Sequence, residues 1–459
     1  MSFPSLPELV SLDSAADGVR IPPGLTVPLT PRVRALLDTA EMRRLARISQ
    51  LGLVALVYPG ATHSRFEHSL GVYRLALEFL NRLRHDERFA AAVDEDDAAS
   101  FVVAALVHDI GHWAFCHPVE DMGLEELPPH ESLVRRLLTQ GEPARVLERQ
   151  WGVDPGRVAT LIDGPRPGEV PNRAGGILHS LLSGPIDVDK MDYLARDSLH
   201  AGVPYGLHFD QERLLSSLCL DASGSSLAIT EKGRTAAELM VFARYVMFSE
   251  VYWHHAVRAA TAMLQRAVWI VRPAIEPARL TRFDDQSFIA WLVDAAAGTP
   301  AEPLVDGLFG SERRLFKRAA TFDALHHPAI HRLLSGRSYA DTVAISHRLA
   351  ERLSRRLGIR LPGDALLVDA PPAEREVEFK LEIRERPGRR SPTAPVAWRR
   401  LSEMSPVVRS LAHEQFDDIV KRVRIFAPAE AAEAIADCHD LEAIIRDAAE
   451  QPPAGGTAD

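Results

Sequence analysis

The chain has 459 residues, 46% of them apolar and 25% charged, the composition of a folded globular protein rather than a disordered one. Its 53 Lys and Arg against 63 Asp and Glu give a net charge of −10, so nucleic-acid binding through a general positive surface is not expected, whereas a local basic pocket remains compatible. Cys116, Cys219 and Cys438 are widely spaced and form no CxxC pair, which argues against a disulfide framework and a thiolate zinc site. Together with the lack of a basic-then-apolar leader or a long apolar run, this predicts a cytoplasmic protein that does not span a membrane.

Residues 1–27 carry four prolines and little periodicity, and read as an irregular arm. From 28 to 275 the dominant signal is helical. Ser64-Arg-Phe-Glu67 has capping-box spacing, and His68, Val72, Leu75, Ala76, Phe79 and Leu83 then form one apolar stripe, so a helix is predicted to start there with His68 facing inward. A second helix is predicted over 98–110, with Phe101, Ala105, His108 and His112 sharing a face. Gly164 to Asn172 reads as a loop, and another helix is predicted from Asp187 to Asp197. A long helix from Glu231 to about Val271 is expected to align Arg244, Phe248 and Tyr252. Residues 276–360 read as further helices. In 366–386 the alternation of Val377, Phe379, Leu381 and Ile383 with charged residues predicts a strand, and Val423 and Ile425 predict the last strand of a small β subdomain. The acidic tail after Ala427 is expected to fray.

The residues that carry chemistry are His68, the adjacent pair His108-Asp109, and Asp189. Two imidazoles and two carboxylates offer mixed nitrogen and oxygen ligands suited to Fe, Mn, Ni, Zn or Mg, with positions left for water and substrate. Neighbours on a helix point about 100° apart. The ion is therefore expected at a helix edge, with His68 and Asp189 closing it from other helices. Beyond these, His112, His117, Glu120, His130 and Glu131 concentrate titratable groups to a degree that a packed core would not tolerate. Asp189, Tyr193 and Asp197 share one helix face.

The H…HD…D pattern resembles the HD-domain phosphohydrolase superfamily. PGATHSRFEHSLGV at 59–72, HDIGHWAFCHPVE at 108–120, the HE at 130–131, IDVDKMDYLARDS at 186–198, TEKG at 230–233, ARYVMFSEVYWHHAV at 243–257 and VDAPP at 368–372 resemble its deoxynucleoside triphosphate triphosphohydrolase branch. The resemblance runs over about 28–427. It implies a mainly α protein with an HD-domain helical core (28–275) and a smaller α+β C-terminal subdomain (276–427), between the N-terminal arm (1–27) and the acidic tail (428–459).

The resemblance also implies an activity, hydrolysis of dNTPs to deoxynucleoside and tripolyphosphate by a metal-activated water. The metal ligands would be His68, His108, Asp109 and Asp189. His112, His117 and His130 would surround the α-phosphate, with His117 as the acid for the departing 5′ oxygen, Glu120 orienting it, and Glu131 orienting His130. Arg65, Lys190, Arg244 and Tyr193 would contact the phosphates. Asp197 and Gln50 would hold the 3′-hydroxyl, and Leu51 and Tyr252 would crowd the 2′ carbon against ribonucleotides.

Two departures from the branch stand out. Phe248 replaces a histidine near the base, so base preference does not transfer. Arg43 and Ala46 occupy regulatory positions, and Ala46 has no group to bind a nucleotide. A homo-oligomer, dimer or tetramer, is expected by resemblance. The alternatives are an HD phosphodiesterase or nucleotidase for another nucleotide, disfavoured by HDIGH in place of HDIGK and the lack of a GYP motif, and a non-catalytic nucleotide- or nucleic-acid-binding protein.

Overall fold

A computed structural model of the protein describes residues 6–14, 18–165, 172–280, 282–371, 380–386, 396–411 and 419–450. It is mainly helical, with small sheets. The chain divides into two compact units, one built from 1–114, 128–247 and 378–412, the other from 115–127, 248–377 and 413–459. No helix among the described residues is long and apolar enough to cross a membrane, and none of the three cysteines forms a disulfide.

In the first unit the helix Arg65–Leu83 begins where its cap signal predicts. Ser64 Oγ accepts from Glu67 N at 3.2 Å, and all six stripe residues, His68 included, are buried. The helix Glu95–Val107 starts three residues earlier than its predicted Ala98, because Asp94 and Asp97 close a capping box. Every residue from Asp97 to Val107 is buried, as befits a helix in the middle of the unit.

This helix does not continue to Ile110 with His108 and His112 on its face, which corrects the predicted span. His108–Gly111 tightens into a 3₁₀ turn and His112 is extended. The turn lies directly on the helix His130–Gln140, since a Cβ on Gly111 would stand 2.3 Å from the His130 carbonyl oxygen. The third site-bearing helix, Val188–Ala201, is capped by Asp187, which accepts from Lys190 N at 2.7 Å.

The described part of the first 27 residues is not an irregular arm. Pro7–Ser14 is helical and Gly18–Ile21 pairs antiparallel with Leu25–Pro28. The segment is held by the wholly buried Glu8, which accepts from Thr30 Oγ1 at 2.6 Å and is gripped by Arg32 at 2.9 and 2.6 Å. A sheet in the order Leu218–Leu220, Leu227–Thr230, Glu382–Arg384, Trp398–Arg400 completes this unit. Its central pair is parallel (Ile229↔Ile383) and the outer pairs are antiparallel.

The second unit holds a three-stranded sheet. Val423–Ala427 is central, antiparallel to Lys317–Phe322 and to Leu367–Asp369, with Phe322↔Val423 and Val368↔Ile425 in register. The last strand is thus where Val423 and Ile425 predict it, whereas Lys317–Phe322 is a strand in a region read as helices with loops. The strand predicted over 366–386 is two short strands, Leu367–Asp369 and Glu382–Arg384, in different sheets; Val377 and Phe379 lie outside the described residues.

The predicted long helix over 231–271 is also broken. Arg234–Met247 is followed by a wider π turn at Phe248–Tyr252, and a new helix, His255–Val271, starts with His254 as its cap. Arg244, Phe248 and Tyr252 therefore do not share one straight helical face. Nor does the tail fray between Ala429 and Glu450; its last residues, 451–459, lie outside the described residues. Ala429–Ala436 and Leu441–Glu450 are helices whose Ile435, Leu441, Ile445 and Ala448 join the core around the sheet.

Candidate metal centre

The first turn of Arg65–Leu83, the 3₁₀ turn His108–Gly111 and the first turn of Val188–Ala201 bring His68, His108, Asp109 and Asp189 together. His68 Nε2 lies 3.2 Å from His108 Nε2 and 3.0 Å from Asp189 Oδ1, and His108 Nε2 is 3.7 Å from the same oxygen and 3.4 Å from Asp109 Oδ1. The Nδ1 atoms point outward to groups that can only accept when ionised or carbonyl. His68 Nδ1 donates to Asp192 Oδ2 at 2.8 Å, and His108 Nδ1 donates to the Ala105 carbonyl at 3.0 Å. Each neutral ring therefore presents a lone pair at Nε2. Two such lone pairs 3.2 Å apart beside two carboxylates repel unless a cation or a proton stands among them. Cis donors on one ion with bonds of about 2.1 Å are themselves about 3 Å apart. His68, His108 and Asp189 together fit a divalent cation of the Fe, Mn, Ni, Zn or Mg kind, and Asp109 lies beside them.

Electrostatics agree with that reading. Burial opposes ionisation of Asp109, but His112, His108, Arg65 and His68 outweigh it and hold the carboxyl well below its usual value. Asp189 and Asp192 are likewise lowered against burial, through His68 for the first and Arg196 for the second. Burial also opposes protonation of His68, yet its bonds to Asp189 and Asp192 and the charges of Asp192 and Asp109 raise its pKa to about 10.

In the metal-free protein His68 therefore carries a proton through neutral pH, and an entering cation must displace it. Uptake is expected to release about one proton from this ring, and affinity to rise with pH up to about 10. Calorimetric titration with Mn²⁺ or Zn²⁺ in buffers of different ionisation heat measures the count; a count near zero contradicts the exchange.

Known protein families meet the chain at these residues. The HD domain matches residues 65–154, and the HD-associated region matches residues 209–446. The chain belongs to the HD-domain proteins that carry an HD-associated region. The uncharacterized protein YwfO of Bacillus subtilis is 36% identical over 234 residues, 50% of either chain. Deoxynucleoside triphosphate triphosphohydrolase SAMHD1 of Gallus gallus is 28% identical over 279 residues, 52% of this chain and 43% of that protein. The chain spans about half the length of the curated relatives it matches first. A crystal structure of a hypothetical protein from Aquifex aeolicus shares the fold with a TM-score of 0.65 at 23% identity, over 90% of this chain and 96% of that one.

The other expected site residues of this HD-domain chain are spread over both units. Arg65 Nη1 donates to Asp109 Oδ2 at 2.9 Å, which sets a buried guanidinium against a buried carboxylate. His112 Nδ1 is 3.1 Å from Asp109 Oδ1, and its ring packs on His130 with centroids 3.8 Å apart. Glu131 Oε1 lies 3.5 Å from His130 Nε2. Lys190 Nζ donates to the buried Asp187 at 2.6 Å. Burial pushes the Tyr193 phenol up to about 12 despite the nearby charges of Arg244 and Lys190.

Asp197 Oδ1 is bonded to His63 Nε2 at 2.9 Å, and the backbone N of Gln50 donates to the His63 carbonyl at 2.9 Å, so the two residues expected at the sugar meet around His63. Gln50 Oε1 is buried and meets no donor among the described residues. Leu51 follows, half-buried, at the start of the turn Gly52–Leu56. His117, Glu120, Phe248 and Tyr252 belong to the second unit. There His117 Nδ1 is 3.8 Å from Glu120 Oε2, and Phe248 meets Tyr252 edge-on at 5.2 Å.

Sequence reasoning missed three contributors. Asp192 holds the outward nitrogen of His68, His63 occupies Asp197, and Arg44 Nη2 donates to the Ile110 carbonyl at 3.0 Å, steadying the turn that carries the His-Asp pair. The signal for Asp192 was present as the Asp192/Arg196 spacing of i and i+4. His63 and Arg44 act across 134 and 66 residues of sequence and left no local sign.

Proposed function

We propose that this chain is a divalent-metal-dependent phosphohydrolase that cleaves deoxynucleoside triphosphates between the 5′ oxygen and the α-phosphorus, leaving deoxynucleoside and tripolyphosphate. The observation that carries the reading is the convergence of the Nε2 atoms of His68 and His108 with the carboxylates of Asp109 and Asp189, each imidazole fixed from behind at Nδ1. The match to the HD domain and the likeness to SAMHD1 of Gallus gallus over half the chain support it. A cation held by His68, His108, Asp109 and Asp189 supplies Lewis acidity toward phosphoryl oxygens and a nucleophile at neutral pH.

The protein's own groups do the rest. Arg65, on Asp109, places positive charge where phosphate oxygens gather, and Lys190 and Arg244 extend that charge past Tyr193. His112 and His130 present stacked imidazoles beside Asp109 to hold the α-phosphate. His117, oriented by Glu120, gives its proton to the departing 5′ oxygen. Asp197 accepts from the 3′-hydroxyl with Gln50 beside it. Leu51 and Tyr252 leave a 2′-hydroxyl without a partner, which disfavours ribonucleotides. A dimer or tetramer belongs to the same proposal.

The test is incubation of the protein with each dNTP and each matching ribonucleotide in Mn²⁺ or Mg²⁺, with products separated by anion exchange. One tripolyphosphate per deoxynucleoside is expected, and at least about tenfold less from ribonucleotides. Orthophosphate or pyrophosphate as the product, or turnover of other nucleotides with none of any dNTP, overturns the assignment.

A further inference from the structure

The two imidazoles of the centre are held from behind in different ways. His108 leans on a backbone carbonyl, which the helix itself keeps in place, whereas His68 leans on the Asp192 side chain, which has rotamers to lose. What keeps Asp192 still is Arg196, one turn further along Val188–Ala201. Its Nε donates to Asp192 Oδ2 and its Nη2 to Asp192 Oδ1, both at 2.8 Å, a two-pronged grip on the carboxylate. Asp192 Oδ2 thus accepts from Arg196 and from His68 Nδ1 at once. Arg196 is anchored in turn, its Nη1 donating to Glu67 Oε1 at 2.7 Å and to the Pro22 carbonyl at 3.3 Å. Glu67 Oε1 also meets His200 Nε2 at 2.9 Å, and the His200 ring stacks at 4.3 Å on His63, the partner of Asp197.

Two further observations show that the arrangement has been given room. Gly71 sits on the helix of His68, one turn on, and a Cβ there would stand 2.0 Å from Asp192 Oδ1 and 2.3 Å from Arg196 Nη2. Glycine in a helix interior costs about 0.5–1 kcal/mol relative to alanine, so the position forgoes helical stability and the space goes to the clamp. With Gly71, the pair also borders a cavity of about 500 Å³ whose wall includes Leu75, Met191, Leu199 and Phe209. Packing there does not confine Arg196, and its hydrogen bonds must.

We propose that Arg196 is a positioning residue of the metal centre: by clamping Asp192 against Nδ1 of His68 it fixes which imidazole nitrogen faces the cation, and Gly71 is the glycine that admits the clamp. The inference rests on the metal reading of the site. It assigns Arg196 no contact with substrate, and it predicts that loss of the guanidinium is felt as metal affinity. Groups that orient a metal-bound histidine are worth about 10–100-fold in affinity.

The experiment strips the full chain with a chelator and titrates it with Zn²⁺ against a chromophoric competitor, alongside ¹⁵N-histidine NMR of the loaded protein. Arg196→Met and Asp192→Asn are expected to bind about 10–100-fold more weakly than wild type. Arg196→Lys, which keeps the charge and loses the fork, and Gly71→Ala are expected to fall about tenfold. The protected Nδ1–H resonance of His68 should be present in wild type and absent in Arg196→Met, with far-UV circular dichroism unchanged. Should Arg196→Met fail to fold, Arg196→Lys decides. Affinity within twofold of wild type with the His68 resonance retained, in whichever variant folds, overturns the inference. Wild type that takes up no cation overturns the metal reading instead, so the two failures are told apart.

Discussion

Asp109→Ala is expected to abolish cation uptake, lower turnover by about 10³-fold or more, and destabilise the protein by about 3–5 kcal/mol. The combination follows from what this carboxylate touches. One oxygen faces His108 at 3.4 Å and His112 at 3.1 Å, while the other takes the bond from Arg65 at 2.9 Å. Arg65 is 5% exposed, and its guanidinium would be left buried beside an alanine methyl. Asp109→Asn keeps the shape and one acceptor, so it should recover much of the stability and little of the activity. Urea denaturation and the dNTP assay on both variants separate the two effects. An alanine variant that retains turnover within tenfold of wild type contradicts the role given to Asp109.

The other large effect is expected in the second unit and bears on stability. Asp369, at the end of the strand Leu367–Asp369, accepts from Arg258 Nε at 3.1 Å and Nη2 at 2.6 Å. Its cross-strand neighbour Arg424 approaches the same carboxylate at 3.9 Å, and Arg424 Nη2 is committed to the Trp253 carbonyl at 2.9 Å. One buried carboxylate thus answers two buried guanidiniums. Burial, with Arg258, Arg422 and Arg318 around it, brings Arg424 down to about 10 even though Asp369 opposes the shift. Asp369→Ala strands both cations and is expected to cost about 3–5 kcal/mol. Replacing Arg258 by Met in the Asp369→Ala background should restore part of that loss, since it removes a stranded charge. Denaturant midpoints of the single and double variants measure this, and a single-variant loss under about 1 kcal/mol contradicts it.

The parts of this molecule that were legible in its sequence are those written locally. Ser64, Glu67 and the stripe from His68 to Leu83 announce a helix with an inward histidine, because cap and periodicity lie within a few turns. The His-Asp pair and Asp189 stand out by residue type, and the fold brings His108 and Asp189 together with His68, both Nε2 atoms lying within 3.7 Å of Asp189 Oδ1. What escaped depends on distant partners. Lys317–Phe322 has no alternation of its own and becomes a strand by pairing with Val423–Ala427. The N-terminal elements owe their order to Glu8, whose partners Thr30 and Arg32 lie more than twenty residues on. The break between Met247 and His255 carries no glycine or proline to mark it. The tail is a different case, since Leu441, Ile445 and Ala448 recur at helical spacing and the stripe was masked only by its acidic setting.

The account stands on one cation seated among His68, His108, Asp109 and Asp189. Anomalous diffraction from crystals of the full chain grown with Mn²⁺ tests this most directly. The account predicts one strong peak within bonding distance, about 2.0–2.3 Å, of both Nε2 atoms and of oxygens from both carboxylates. A map with no peak among those four side chains at saturating Mn²⁺, or with the ion held elsewhere, would contradict it.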